Sequence, residues 1–328
     1  MRGASIVGIG HYLPELIVTT EEIAERLDIH AGRLVKAAGI KERRVVTDET
    51  SSYMGAEALR EALADAHIQL EQIDCIIGAS GVPQQAIPCT ASLIQKELDA
   101  SDTGIPCFDI NSTCLSFVTA FEIAHTFIQS GKYERIAIVS TEISSVGINE
   151  KEVESAVLFG DGAAAVILAA SETNKGILGS HMETYSEGSS YTEIKGGGTL
   201  IPPREYEQYP IENFLFHMNG PAVFKLSFKK IESFMNQLYQ DAKIDKHDIQ
   251  MVIPHQASGA AMKIIRKKLG FKEENFMNII ENHGNMIAAS IPLALYYAIR
   301  QQKIQRGDHV LMLGTSAGLS IGGVIFEY

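Results

Sequence analysis

Stretches that are apolar at almost every position recur along this chain, each preceded by a helix-length stretch in which apolar residues fall three and four apart. Residues 55 to 81, GAEALREALADAHIQLEQIDCIIGASG, show the unit: an amphipathic helix, a short polar link, then an apolar strand. Residues 225 to 258, KLSFKKIESFMNQLYQDAKIDKHDIQMVIPHQAS, repeat that order, with LADAHIQLEQIDCII lying over LYQDAKIDKHDIQMVI. A second pair, IQSGKYERIAIVSTE (128 to 142) and IQRGDHVLMLGTSAG (304 to 318), shares a polar helix end, a turn and a buried strand with a small-residue exit. Both comparisons give an offset near 174 to 176 in residue number. Each half then closes on a glycine-flanked strand, GDGAAAVILAA (160 to 170) and GLSIGGVIFEY (318 to 328). The chain therefore reads as an internal duplication, divided into 1–172 and 173–328.

Helices alternating with largely apolar strands imply an α/β fold, with helices on both faces of a parallel or mixed sheet in each half. Two such units are expected to stack as a pseudo-dimer. That stacking would bring together the loops that start at Gly81, Asn111, His255, Asn285 and Gly314. The least regular stretch, 180 to 221, interrupts the second half and reads either as a lid or tunnel-lining excursion or as a tolerated surface insertion.

Residues 107 to 131, CFDINSTCLSFVTAFEIAHTFIQSG, place chemistry inside this pattern. A short strand breaks at Asn111-Ser112-Thr113 and re-enters as a helix that is apolar nearly all round and stops at Gly131, so a buried central helix is expected. Cys114 sits at the break. Free backbone N–H groups and the positive end of the macrodipole would stabilise a thiolate there, which is a nucleophile's setting. The plain alternative is core filling, the usual fate of a free cysteine.

Composition narrows the class. The 328 residues are 45% hydrophobic and 21% charged, which excludes a disordered or fibrous chain. The opening MRGASIVGIGHYLPE is too short in apolar residues for a secretory signal, and no run approaches membrane-spanning length, so a cytoplasmic protein without a membrane partner is expected. The net charge of −12 argues against a nucleic-acid partner. Four cysteines, Cys75, Cys89, Cys107 and Cys114, form no C-x-x-C pair and have no histidine at ligand spacing, so neither a metal site nor a disulfide framework is expected.

Two further residues stand at strand exits opposite Cys114. His255 follows the strand IQMVI through Pro254; the plain alternative is a histidine satisfied within its loop. Asn285 lies in a loop running into an apolar helix that corresponds to the helix of Cys114, and its plain alternative is a turn residue. Asn282 and His283 compete for any role given to Asn285. Three motifs fail their context. Gly314-Thr315-Ser316-Ala317-Gly318 fits a nucleophile elbow, yet no histidine follows it. Gly160-Asp161-Gly162 through Ala165 fits a dinucleotide fingerprint but precedes a strand. Gly196-Gly197-Gly198 lacks the lysine of a phosphate loop. What remains is Cys, His and Asn from three strand–helix junctions, a trio suited to acyl transfer onto a thiolate followed by carbon–carbon bond formation. Cys114 would attack a thioester, its own N–H and an amide from the 314–318 turn (Ala317, Gly318) holding the oxyanion. His255 and Asn285 would donate to the carbonyl of a second thioester as it becomes an enolate. Loss of carbon dioxide could generate that enolate without a metal.

The stretches GIKERR (39 to 44), FDINSTC (108 to 114), FGDGAAAVIL (159 to 168), MNGPAVFK (218 to 225), PHQAS (254 to 258) and GNMIAASIP (284 to 292) resemble the thiolase superfamily, and within it the β-ketoacyl-acyl-carrier-protein synthase III family. The resemblance implies two thiolase-like halves layered α/β/α/β/α, a Cys114-His255-Asn285 triad, a homodimer and no cofactor. It also implies priming by an acyl thioester, on coenzyme A or acyl carrier protein, before condensation with malonyl-acyl carrier protein. Several positions depart from the family pattern. Arg33 and Ala37 stand where members that use coenzyme A show Trp and Arg, and Gly259 or Ala260 stands where a carrier-docking arginine is usual. Arg266, Lys267 and Lys268 are a candidate docking run or a solvated helix face. Leu115 and Ile287 make the surroundings of the nucleophile more apolar than usual, which fits a specialised paralogue. The alternatives are non-decarboxylative condensation, disfavoured by Ile87 where a partner's glutamate is expected, acyl transfer to an alcohol or amine, and a non-catalytic partner of an active homologue.

Overall fold

The computed structural model describes residues 3–172 and 176–328, and it leaves the side chains of Arg33, Ala37 and Glu154 outside the described residues. The departures at Arg33 and Ala37 therefore lie outside what the structure describes.

The first half runs β1 (Gly3–Tyr12), β2 (Leu16–Thr19), α1 (Thr20–Leu27), α2 (Ala31–Ala38), β3 (Glu42–Val45), α3 (Ser51–Ala66) and β4 (Cys75–Ala79). It continues through α4 (Thr90–Glu97), β5 (Cys107–Ile110), α5 (Ser116–Gln129), β6 (Arg135–Glu142), α6 (Val153–Ala156) and β7 (Gly162–Ser171). The second half holds β8 (Ile177–Thr184), β9 (Thr192–Glu193), β10 (His217–Met218), α7 (Gly220–Ala242), β11 (Ile249–Pro254) and α8 (Gly259–Leu269). It closes with α9 (Ile280–His283), α10 (Ser290–Arg300), β12 (His309–Ser316) and β13 (Ser320–Glu327).

One sheet has the order β1-β7-β6-β4-β5 and the other β8-β13-β12-β11. In both, one pair is parallel (β4 with β6, β11 with β12), and the next two pairings along the sheet are antiparallel. The counterpart of β5 shrinks to a single bridge between Val252 and Phe276. Strand periodicity sorts the layers. Ile77, Ile138 and Val166 of the first sheet, and Ile253, Met312 and Val324 of the second, share one core with Phe117 and Phe121 of α5 and Ile291 and Leu295 of α10. Their neighbours Ile76, Ala137 and Ile167 pack outward on α3 and α4. Val252, Leu311 and Ile325 pack outward on α7 and α8. The result is the expected α/β/α/β/α sandwich, with α5 and α10 as the buried middle layer.

Local chemistry sets the helix starts. The Thr19 hydroxyl accepts from the Glu22 amide while the Glu22 carboxylate accepts from the Thr19 amide, and Thr50 and Asn219 cap α3 and α7. The middle helices have no side-chain cap; each is preceded by a 3₁₀ turn, Thr113–Leu115 or Ile287–Ala289.

Two expectations need correction. The irregular excursion is shorter than 180–221, because β8 continues to Thr184 as an edge strand on β13, and α7 begins at Gly220. Among the described residues, its order consists of 3₁₀ turns, a two-residue β9–β10 ladder and a bridge between Gly196 and Ile201. Gly314 does not begin a loop: β12 stays paired with β13 through Ser316, so the turn is confined to Ala317, Gly318 and Leu319.

Candidate active site

Cys114 sits in the 3₁₀ turn ahead of α5 and keeps partial access to solvent. Thr113 adopts a left-handed φ of +50°, a conformation a β-branched residue holds only when its surroundings fix it. The fixing bonds are local. Asn111 Oδ1 accepts from the Thr113 amide at 2.9 Å, and Ser116 Oγ accepts from the Ser112 amide at 3.0 Å. Asn111 Nδ2 donates to the Gly81 carbonyl at 3.1 Å, tying the turn to the loop after β4.

Shifting residue numbers by 174 (285 minus 111) reproduces this turn in the second half. Asn285 Oδ1 accepts from the Ile287 amide at 2.9 Å, and Ser290 Oγ accepts from the Met286 amide at 3.0 Å. Ile287 repeats the left-handed φ at +43°. Ala288 stands where the first half has Cys114. The backbone of Asn285 is fixed by Leu158 and Gly160, its amide donating to the Leu158 carbonyl at 2.9 Å and its carbonyl accepting from the Gly160 amide at 3.2 Å. A Cβ on Gly160 would lie 2.1 Å from the His283 carbonyl, so only glycine permits this approach. Behind that segment Arg43, 1% exposed, donates to the Val157 carbonyl at 2.6 Å and to Thr20 Oγ1 at 3.2 Å. Burial lowers the Arg43 pKa to about 10.

His255 follows directly on β11, its amide donating to the Leu313 carbonyl at 2.8 Å. The ring is buried, Nδ1 has no partner among the described residues, and desolvation pulls its pKa down to about 4, so it is neutral near pH 7. A Cβ built on Gly314 would stand 3.0 Å from His255 Cβ and 3.1 Å from Leu115 Cδ2, so the histidine and the turn of Cys114 both close on one glycine. The two 3₁₀ turns meet at the loop after β4, where a Cβ on Gly81 would stand 2.7 Å from Ile287 Cγ2 and 3.4 Å from Thr113 Cα. His283 is turned away, stacked on Tyr297 at 5.2 Å, and Asn282 is exposed.

A cavity of about 440 Å³ opens onto His255, Gly314 and Thr315 and runs outward between α7 and α8 past Phe224 and Ile264. Its walls are apolar apart from His255 and a few hydroxyls. Such a channel suits a long, narrow thioester arm.

The thiolate expectation fails in its direction. Burial pushes the Cys114 thiol up to about 12, the Glu142 carboxylate adds to the rise, and the residue's own amide opposes it only in part. A single 3₁₀ turn offers one amide where an α-helical N-terminus offers several. Glu142 itself, fully buried at the end of β6, accepts from the amides of Gly81 (2.5 Å), Val82 (3.0 Å) and Ala288 (3.2 Å). Burial still lifts it to about 8. Sequence reasoning passed over it, although a lone carboxylate closing the apolar strand RIAIVSTE was a visible signal.

Ala317 and Gly318 occupy the β12–β13 turn, beyond the last ladder pair Ser316–Ser320. The basic run is partly spent. Arg266 donates to the Phe271 carbonyl and pairs with Glu273, and Lys268 donates to the Phe228 carbonyl and pairs with Glu232. Lys267 is exposed. In the Gly160–Ala165 stretch, Asp161 accepts from the amides of Val46 and Ser145, a structural use.

Comparison with known proteins gives concordant matches. The family described as 3-Oxoacyl-[acyl-carrier-protein (ACP)] synthase III matches residues 108–186, and its C-terminal counterpart matches residues 239–328. A β-ketoacyl-[acyl-carrier-protein] synthase III of Aquifex aeolicus is 34% identical over 99% of this chain and 100% of its own length. One from Clostridium acetobutylicum is 31% identical over 100% and 99%. The crystal structure of 3-oxoacyl-[acyl-carrier-protein] synthase III from Aquifex aeolicus superposes with a TM-score of 0.90 at 32% identity, covering 99% of this chain and 100% of that one.

Proposed function

Because the chain belongs to the 3-oxoacyl-[acyl-carrier-protein] synthase III family and is a condensing acyltransferase of that type, we propose that Cys114 carries the acyl primer and that His255 and Asn285 serve the condensation. The observation that carries this reading is that the His255 and Leu115 side chains both pack against Gly314, at the inner end of the apolar cavity. Since the thiol is protonated near pH 7, attack on a thioester must be accompanied by proton loss, and the neutral His255 imidazole is the base on the cavity wall. The proton passes to the departing thiolate, leaving an acyl-cysteine. The Cys114 amide and one from Ala317 or Gly318 hold the oxyanion. Malonyl-acyl carrier protein then loses carbon dioxide. Its enolate oxygen is stabilised by N–H donors of His255 and Asn285, its carbon attacks the acyl-cysteine, and the Cys114 thiolate leaves to be reprotonated.

Asn285 differs from its counterpart in one respect. Asn111 spends its Nδ2 on the Gly81 carbonyl, whereas Asn285 uses only its Oδ1 in the turn, keeping its N–H groups for substrate.

Decarboxylation generates the enolate without a Lewis acid, so the proposal includes no metal or organic cofactor. The reading extends to two thiolase-like halves, 1–172 with the nucleophile and 173–328 with His255 and Asn285, and to a cytoplasmic homodimer. The exposed Ile87 (83%), Leu200 (76%) and Val146 (68%) support an apolar surface for a second copy. Ile87 also supplies no carboxylate, which favours decarboxylation over α-proton abstraction as the source of the carbanion. Lys267 is the residue of the basic run left for an acidic carrier.

The test is intact-protein mass after incubation with a panel of acyl-coenzyme A and acyl-carrier-protein thioesters, wild type beside Cys114→Ala, with peptide mapping. An acyl adduct on Cys114, absent from the variant, is expected. An adduct that maps elsewhere, or no adduct from any donor, overturns the assignment.

A further inference from the structure

The 174-residue shift that superposes the two turns also relates the groups around them. Cys114 corresponds to Ala288, and the end of β6 at Glu142 corresponds to the end of β12 at Ser316. In the nucleophile's half, the amide of Cys114 is the donor assigned above to the substrate's oxyanion. In the other half, the equivalent amide, that of Ala288, already holds an oxygen: Glu142 Oε1, at 3.2 Å. The same oxygen accepts from the Gly81 amide at 2.5 Å, and Oε2 accepts from Val82 at 3.0 Å. A carboxyl oxygen thus fills, from inside the protein, the position that corresponds to the reacting oxygen at Cys114.

This matters because of what the clamp joins. Gly81 and Val82 follow β4 in the first half, and Ala288 belongs to the turn that carries Asn285 in the second. Asn285 is held from three sides: by Leu158 and Gly160 through its backbone, by the Ile287 amide through Oδ1, and, three residues on, by Glu142 through Ala288. The turn of Cys114 is held mainly from within, by Asn111 Oδ1 and Ser116 Oγ, with one further bond from Asn111 Nδ2 to the Gly81 carbonyl. A side chain that touches only one of the two turns acts on one half-reaction more than the other.

We infer that Glu142 is a positioning residue for condensation: its carboxyl group occupies the acceptor position of the second half's turn and, by fastening Ala288 to Gly81 and Val82, aims the Asn285 amide at the enolate. It touches neither substrate nor acyl-cysteine. Removing it loosens Asn285, while the bonds within the Cys114 turn, to Asn111 Oδ1 and Ser116 Oγ, stay in place. The inference rests on the condensing role proposed above.

The test separates the half-reactions. Glu142→Gln keeps the volume and one carbonyl oxygen for Gly81 and Ala288 but turns an NH₂ toward the Val82 amide, donor against donor. Cys114 acylation is followed by intact mass, and condensation by steady-state rates against malonyl-acyl carrier protein, with melting temperature recorded beside them. For a folded Glu142→Gln the expected result is acylation within about threefold of wild type, condensation kcat lowered at least about tenfold, and KM for the malonyl substrate unchanged. Glu142→Ala, with no oxygen for any of the three amides, should shift further the same way. Wild-type condensation by Glu142→Gln, or an equal loss in both half-reactions, would overturn the inference, the second because it reports general loosening. A wild type that never acylates Cys114 would instead refute the underlying reading, and this one with it.

Discussion

Gly314→Ala tests how tightly the active site is built. The added Cβ would lie 3.0 Å from His255 Cβ, 3.1 Å from Leu115 Cδ2 and 3.6 Å from Ile291 Cδ1. Carbon contacts settle near 3.5–4.0 Å, so the first two neighbours must yield by about 0.5 Å each. Both are buried, and Leu115, which does not line the cavity, is enclosed in the packed core. Overpacking of this kind costs about 1–3 kcal/mol. The functional cost follows from which atoms move: a misplacement of 1 Å can cost roughly 100-fold, so half of that predicts a rate loss of about tenfold. Condensation rate and melting temperature, measured on the same preparations, check both numbers. Adding Leu115→Ala removes both Cδ atoms on one side, and the double variant should be more stable than the sum of the singles by about 0.5–3 kcal/mol. A Gly314→Ala enzyme with wild-type rate and melting temperature would refute the claim that His255 and the nucleophile's turn close on this glycine.

The buried histidines predict acid sensitivity. His255 and His283 fall from 6.5 to about 4 on folding, so between those values the unfolded chain binds more protons, and stability is lost as pH drops through that window. Each contributes on the order of 2–3 kcal/mol, and urea unfolding at pH 7 and pH 5 should show the loss, diminished in His255→Ala. Asn285→Ala should still acylate but not condense, His255→Ala should slow both steps, and Ser316→Ala should change little, since its hydroxyl makes only a 3.3 Å contact to its neighbour's carbonyl. The intact-mass and condensation assays together distinguish these outcomes. Arg43→Ala leaves the Val18 and Val157 carbonyls without their donor in the core, and a stability loss of about 3 kcal/mol is expected in urea unfolding.

The duplication and the layered fold were legible because strand and helix periods repeat at a nearly constant offset. Cys114, His255 and Asn285 stand out as candidates in the sequence because each follows the point where an apolar strand gives way to polar residues. The thiol's protonation was not legible. It is set first by burial and then by Glu142, which is 28 residues from Cys114 in sequence, and both arise only through the fold. Arg43 was equally silent, since an arginine in GIKERR gives no sign that it will be buried against Val157. The end of β12 was misplaced because Gly314 looks like a loop residue, whereas its missing side chain makes room for His255 and Leu115 within a strand. Spacing shows where the chain turns; which polar group ends up buried against which is decided by contacts between segments distant in sequence.

The left-handed Thr113 bears on any attempt to harden this enzyme. An L-residue pays about 1–2 kcal/mol for that conformation, and glycine does not. Thr113→Gly relieves the strain and also frees the neighbouring Cys114 to wander. A library selected only for heat resistance should therefore enrich glycine at 113 and lose turnover with it, whereas one selected for turnover should retain the strained residue. The melting temperature and acylation rate of Thr113→Gly are expected to move in opposite directions, so that heat tolerance at this position is a poor guide to a working catalyst.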